Sequence, residues 1–290
     1  MSWPKFINPY VGIDPPPGIH IPELKEVLRD LGKTCPPRSF LAYPTEAPTC
    51  WIKYGLSVYW NEVCAQAVAY EGLRQLGSSV RVPAVYYAFK EHPMTYIVME
   101  YIPGKTAGEC LEESPEQSDK ETIYRSIALA LSELHRIPIP KDFQNRPAAV
   151  SGGMIRHSIF DCQEAPRHYA SVQQLEAHFN ELYNLSREPM VFCQSDIFAD
   201  NFMIDADNRV TAIDFSDTSI LPSSFARFAL LASKLDVDIS QWVHVPVTEG
   251  VDNLGALGDI MAPIIQGSYS FWKVGSNLPG GDDEPQKGLY

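Results

Sequence analysis

Apolar residues follow two rhythms in this chain, and each rhythm dominates a different part of it. Near the start, IPELKEVLRDLG spaces Leu24, Val27, Leu28 and Leu31 as a helix, with Gly32 able to end it. SFLAYP and TCWIKYG then read as two strands joined by the short turn PTEAP, with Lys53 in the second strand. WNEVCAQAVAYEGLRQLG returns to helical spacing, with Val63, Ala67, Tyr70 and either Leu73 or Arg74 on one face and Gly77 as its stop. VRVPAVYYAF and TYIVMEYIPG follow as two more strands, separated by KEHPM. The first hundred residues therefore predict a small antiparallel sheet crossed by one helix, behind an extended Pro- and Gly-rich arm (IDPPPGIH).

After Gly104 the pattern turns helical. TAGECLEE is short, and KETIYRSIALALSELHRI is long, with Ile123, Ile127, Leu131 and Leu134 in one stripe. Residues 147–170 are irregular. SVQQLEAHFNELYNL predicts a helix capped by Ser171, and SSFARFALLASKL another behind Pro222. A weak helical pattern covers 253–266, and the tail SNLPGGDDEPQKGLY reads as loose.

Candidate chemistry concentrates between Val191 and Asp217. NFMIDADNRVTAI reads as a hairpin with DADN as its turn, so Asp196 and Asn201 in the preceding loop approach Asp214 at the strand end. Oxygen ligands converging in this way suit Mg²⁺, which shares its shell with phosphates. Lys53 and Glu71 complete the parts that phosphoryl transfer from ATP needs: a lysine on the phosphates, a carboxylate holding it, metal ligands and a base. Each residue also has a plainer explanation. Lys53 could be exposed by strand alternation, Glu71 could pair with Arg74 at i,i+3, and the two aspartates and the asparagine could cap turns.

Composition narrows the choice. The 290 residues are 45% apolar and 20% charged, as in an ordinary globular protein. The net charge of −13, with no Lys/Arg cluster, argues against a nucleic-acid partner. It permits an amine-bearing small molecule, although many soluble proteins are acidic for solubility alone, which is the simpler account of the charge. No window approaches 18 uninterrupted apolar residues, and MSWPKFINPYVG has no leader pattern, so a soluble cytoplasmic protein without membrane contact is expected. Six scattered cysteines form no CxxC and are expected as small buried hydrophobes. HExxH and GxSxG are absent from the sequence, which disfavours a zinc hydrolase and an α/β-hydrolase, and His135 reads as a locally satisfied helix-end residue.

IKYG, AYEGLRQL, VPAVYYAF, YIVMEYIPGKT, LSELHRIPIP, QSDIFADNFMID and VTAIDFSD occur in an order that resembles the aminoglycoside phosphotransferase-like family, choline-kinase-like members included, and most of all its fungal members. The resemblance implies an α+β, two-lobe protein-kinase-like fold: an antiparallel N-lobe sheet with one crossing helix, and a mainly helical C-lobe. The implied division is 1–35 arm and helix, 36–103 N-lobe, 104–276 C-lobe and 277–290 flexible tail. The family pattern HxDxxxxN followed by a strand-end Asp makes Asp196 the base, with Asn201 and Asp214 on Mg²⁺. By the same resemblance Lys53 meets the ATP phosphates, Glu71 orients Lys53, and Met99, Glu100 and Tyr101 meet the adenine. An ATP-dependent phosphotransferase acting on a small-molecule hydroxyl follows. Gln194 stands at the family histidine, no Gly-rich loop joins the first two strands, and only 76 residues follow Asp214. These departures define a second reading, a pseudokinase or a kinase fold reused for ligand binding or another reaction.

Overall fold

The computed structural model describes residues 3–31, 39–179 and 182–259. The expected stop at Gly32, Cys35, the helix beyond 259 and the tail from 277 lie outside them. Strands β1 (Tyr10–Val11), β2 (Phe40–Tyr43), β3 (Cys50–Gly55), β4 (Val85–Glu91) and β5 (Met94–Glu100) form one antiparallel sheet, ordered β1-β4-β5-β3-β2. Helix α1 (Leu24–Leu31) precedes β2, and helix α2 (Trp60–Leu76) follows β3. Successive side chains of a strand point to opposite faces. In β3 this buries Cys50, Ile52 and Tyr54 in the cluster that includes Val27 of α1. Lys53 lies directly opposite Ile97 across the sheet, and Ile97 packs with Val63 of α2. Lys53 therefore projects from the face that α2 covers.

Helix α2 changes character along its length. Residues 61–66 are all buried, because this half is enclosed between the sheet and the following lobe. The second half is two-sided: Gly72 and Leu73 are buried, whereas Arg74 and Gln75 are exposed. Gly77 ends the helix in the left-handed conformation (φ 62°), as its sequence position predicts.

The second lobe contains α3 (Ala107–Glu113), α4 (Gln117–His135), α5 (Val172–Phe179) and α6 (Ser223–Leu231). It also contains two three-stranded sheets. One joins β6 (Lys105–Thr106) to the hairpin β9 (Phe202–Ile204) and β10 (Val210–Ala212). The other orders β7 (Ala148–Ala149), β11 (Thr218–Pro222) and β8 (Met190–Gln194). The main core lies where α2 and α4 meet these strands, around Leu73, Leu131, Phe192, Phe202 and Phe215. The arm is more than an extended lead: Tyr10 and Val11 pair with β4, while Trp3 reaches Phe143 at 5.2 Å between ring centroids.

Three local expectations need correction. The helix begun at Ser171 is helical over 172–179, and Leu185–Arg187 is a separate single turn. His135 is satisfied from afar, by the His244 carbonyl 3.1 Å from Nδ1. Cys50, Cys64 and Cys193 are buried, but Cys162 is exposed. Among the described residues, no helix is long and apolar enough to cross a membrane.

Candidate active site

The loop after β8 and the hairpin after it build the site together. Asp205 makes the hairpin turn by accepting from the Asp207 and Arg209 amides, each at 2.9 Å. The Ile213 amide donates to the Asn201 carbonyl at 2.9 Å, which holds Asp214 beside the loop. Asn201 Nδ2 donates to the Asp196 carbonyl at 2.9 Å and to Asp196 Oδ2 at 3.1 Å. With its nitrogen so engaged, Asn201 has its own side-chain oxygen left to offer.

Asp214 has φ 57°, in the left-handed region that non-glycine residues rarely adopt. Gln194 helps to hold that backbone, because its Nε2 donates to the carbonyls of Ile213 (3.2 Å) and Asp214 (3.1 Å). Glutamine thus supports the loop at the position where the family has histidine. Strain of this kind gathers where a side chain must be aimed.

Lys53 brings a cation to the site from the sheet. Its Nζ lies 2.7 Å from Glu62 Oε1 and 3.0 Å from Asp214 Oδ2. Burial alone would lower its pKa, but the two carboxylates outweigh burial and raise it. Glu62 is itself 1% exposed. Burial pushes its pKa up to about 7 against the pull of Lys53, and Asp214 adds to the rise.

Glu71, expected as the partner of Lys53, lies elsewhere. Its carboxylate pairs with Arg74 at 2.8 and 2.9 Å and with Gln75 at 2.6 Å, on the solvent side of α2. The reason is helical geometry. Nine residues past Glu62, Glu71 is about 13.5 Å further along the axis and on the opposite face. The sequence held a usable signal: only residues 56–59 separate β3 from α2, so only the first turn of the helix can reach Lys53.

Neighbours that sequence reasoning did not assign hold this first turn in place. Asn61 Nδ2 donates to the carbonyls of Ser216 (3.2 Å) and Thr218 (2.8 Å), and its Oδ1 accepts from the Ser151 amide at 3.1 Å. Arg156 is buried, pairs with Asp217 at 2.8 Å and stacks 3.7 Å from the Tyr59 ring centroid. Asp217 is thus a buried ion-pair member. Asp200 accepts from Thr106 Oγ1 at 2.6 Å, and a Cβ on Gly108 would stand only 2.2 Å from its Oδ1. Asp200 therefore fastens the loop to the start of α3, and Gly108 permits the approach.

Met99, Glu100 and Tyr101 line a cleft of about 470 Å³ with Lys53, Glu62, Asn201 and Asp214. Trp51 and Phe40, stacked at 4.8 Å, line it as well. The Glu100 and Tyr101 amides already donate to Ala84 and Thr49 carbonyls at 2.8 and 3.2 Å. Glu100 also uses its carboxylate on Arg81 and the Ala84 amide. The cleft residue Ile102, absent from the sequence expectation, donates to no backbone carbonyl among the described residues.

Oxygen donors at this site fit a hard divalent cation. Asp214 Oδ1 is buried without a hydrogen-bond partner among the described atoms, and such an atom is costly unless a cation or donor meets it.

A two-lobed kinase-like architecture with its carboxylates and lysine at the lobe junction defines the class. The chain belongs to the phosphotransferase enzyme family, which it matches over residues 65–223. An aminoglycoside 3'-phosphotransferase of Escherichia coli is 26% identical over 184 residues, covering 60% of this chain and 65% of that protein. The corresponding Salmonella typhimurium protein is 24% identical over the same shares, so the chain spans about 65% of the length of these curated relatives. Among solved structures, an aminoglycoside phosphotransferase aligns with TM-score 0.45 at 10% identity, covering 71% of this chain and 75% of that one. A spectinomycin phosphotransferase in its AMP-bound complex aligns with TM-score 0.41 at 12% identity, covering 79% and 84%.

Proposed function

We propose that this protein transfers the γ-phosphoryl group of ATP to a hydroxyl of a small molecule. One observation carries the reading: Lys53, Asp196, Asn201 and Asp214 converge at the junction of the two lobes, with Lys53 fixed by buried Glu62. In this reading the lobes divide at residue 103/104, and Met99, Glu100, Tyr101 and Ile102 border the adenine.

Asp196 takes the proton of the acceptor hydroxyl. The freed oxygen electron pair forms the bond to the γ-phosphorus, and the bond to the β-phosphate oxygen breaks, its electron pair leaving on ADP. Asn201 keeps Asp196 oriented through the bond to Oδ2. Lys53 binds the phosphates, and Glu62 keeps its ammonium in place. Mg²⁺ held by Asn201 and Asp214 would supply charge neutralisation on the phosphates. The curated relatives are named for aminoglycosides, and with the acidic net charge this supports an amine-bearing acceptor. Gln194 favours phosphoryl transfer over the pseudokinase reading, because its amide still fastens the backbone of Asp214.

Thermal unfolding with and without Mg-ATP tests the reading. Ligand at a hundredfold excess over Kd stabilises by about 2.7 kcal/mol, so a clear rise in Tm is expected. No rise with millimolar Mg-ATP contradicts the proposal. Asp196→Asn should retain the rise and lose phosphorylation of any acceptor found by screening amine-bearing alcohols.

A further inference from the structure

A second lysine faces the site from outside the stretch that matches the family. Lys234 follows α6 and lies past residue 223, where the match ends. Its backbone amide donates to the Ile197 carbonyl at 2.9 Å, next to Asp196 in the chain. Its ammonium donates to Asp196 Oδ1 at 2.7 Å and lies 6.0 Å from the Phe198 ring centroid. The lysine is thus held to the catalytic loop through main chain and side chain together.

Stability does not explain this placement. The Lys234 side chain is 59% exposed, and ion pairs of that kind contribute little to folding. Only one of the three ammonium donors has a partner among the described residues, which leaves two for a ligand.

Charge balance supplies the reason for a second cation. Lys53 is already matched by Glu62 and Asp214. The β2–β3 turn offers few amides to phosphate: Pro44 and Pro48 have none, and the Thr49 amide donates to Tyr43 at 2.9 Å. The phosphoryl group that approaches an acceptor on Asp196 arrives beside Lys234, since that ammonium is already on the same carboxylate.

We propose that Lys234 is a catalytic residue, donating hydrogen bonds to the non-bridging oxygens of the transferring γ-phosphoryl group. This rests on the phosphotransfer reading above. Lys234 keeps its proton throughout: the acceptor proton goes to Asp196, the acceptor oxygen bonds phosphorus, and ADP leaves with the electron pair of the broken bond. Lys234 stabilises the charge on the equatorial oxygens while this happens.

The test compares Mg·ADP with Mg·AMP-PNP binding to wild type, Lys234→Met and Lys234→Arg by calorimetry, with urea unfolding as the folding control. Lys234→Met should bind Mg·ADP as wild type does and lose about tenfold in affinity for Mg·AMP-PNP, the size of one charge-assisted hydrogen bond. Lys234→Arg should recover most of that loss, and Lys234→Gln, expected to show the same loss confined to Mg·AMP-PNP, carries the test if the methionine variant fails to fold. Equal loss for both nucleotides, or no loss for either, overturns the proposal and leaves Lys234 as an anchor of the loop. Tighter Mg·AMP-PNP binding by Lys234→Met also overturns it, marking the lysine as a plug on Asp196. If wild type binds neither nucleotide, the phosphotransfer reading itself fails, a result distinct from any change confined to the variants.

Discussion

The two ends of helix α2 carry the same kind of residue with opposite consequences. Glu62 in the first turn is enclosed and holds Lys53; Glu71, nine residues on, is solvated and holds Arg74. Both pairs are short, so distance does not separate them. Burial does. An exposed i,i+3 pair is screened and close to neutral, whereas an enclosed pair left without one partner strands a charge.

That contrast can be broken most forcefully at Glu62. Glu62→Ala should destabilise the fold by about 3 kcal/mol, the low end for a broken buried pair because Asp214 still meets Lys53. The midpoint of urea unfolding reads this directly. Next comes Asn61, whose amide ties the same turn to the second lobe. Asn61→Ala leaves the carbonyls of Ser216 and Thr218 without this donor and should lower stability by about 2 kcal/mol.

Acid sharpens the comparison further. Burial holds His135 and His157 down to about 4, from the ordinary 6.5. Between those values the unfolded chain takes up protons that the native one refuses, so their contribution is full above 6.5 and is lost as pH falls toward 4. Glu62 works in reverse: its native pKa of about 7 exceeds the ordinary 4.5, so the native chain gains relative stability as pH falls through that window. Wild type should therefore lose only about 1–2 kcal/mol between pH 7 and pH 5, and Glu62→Gln, lacking the offset, about 3–4 kcal/mol. Denaturant titrations at the two pH values check the slope; a variant no steeper than wild type would remove Glu62 from the balance. The smallest effect belongs to the solvated end. Glu71→Ala should change stability by no more than about 0.5 kcal/mol.

Much of this was legible in the sequence, because it depends on local pattern. The alternation of β3 and the stops at Gly77 and DADN concern near neighbours, and the structure follows them. Asp196, Asn201 and Asp214 were legible as a set because one hairpin carries the chain between them. Contacts set by packing were not. Glu62 and Glu71 are the same residue type on one helix, and only the enclosure of the first turn distinguishes them. Arg156 with Asp217, and Lys234 with Asp196, pair residues 61 and 38 apart, and no periodicity reports such a meeting. The arm strand at Tyr10 and Val11 escaped for a related reason: two residues are too few to show alternation.

Mg-ATP binding to wild type, Glu62→Ala and Glu71→Ala, measured side by side by calorimetry at pH 8, tests the central claim most directly. Wild type and Glu71→Ala should bind one nucleotide with equal affinity, and Glu62→Ala should bind about tenfold or more weakly, because its phosphate-binding lysine is no longer held. Absence of binding by wild type, or a loss at Glu71 matching that at Glu62, would contradict the account.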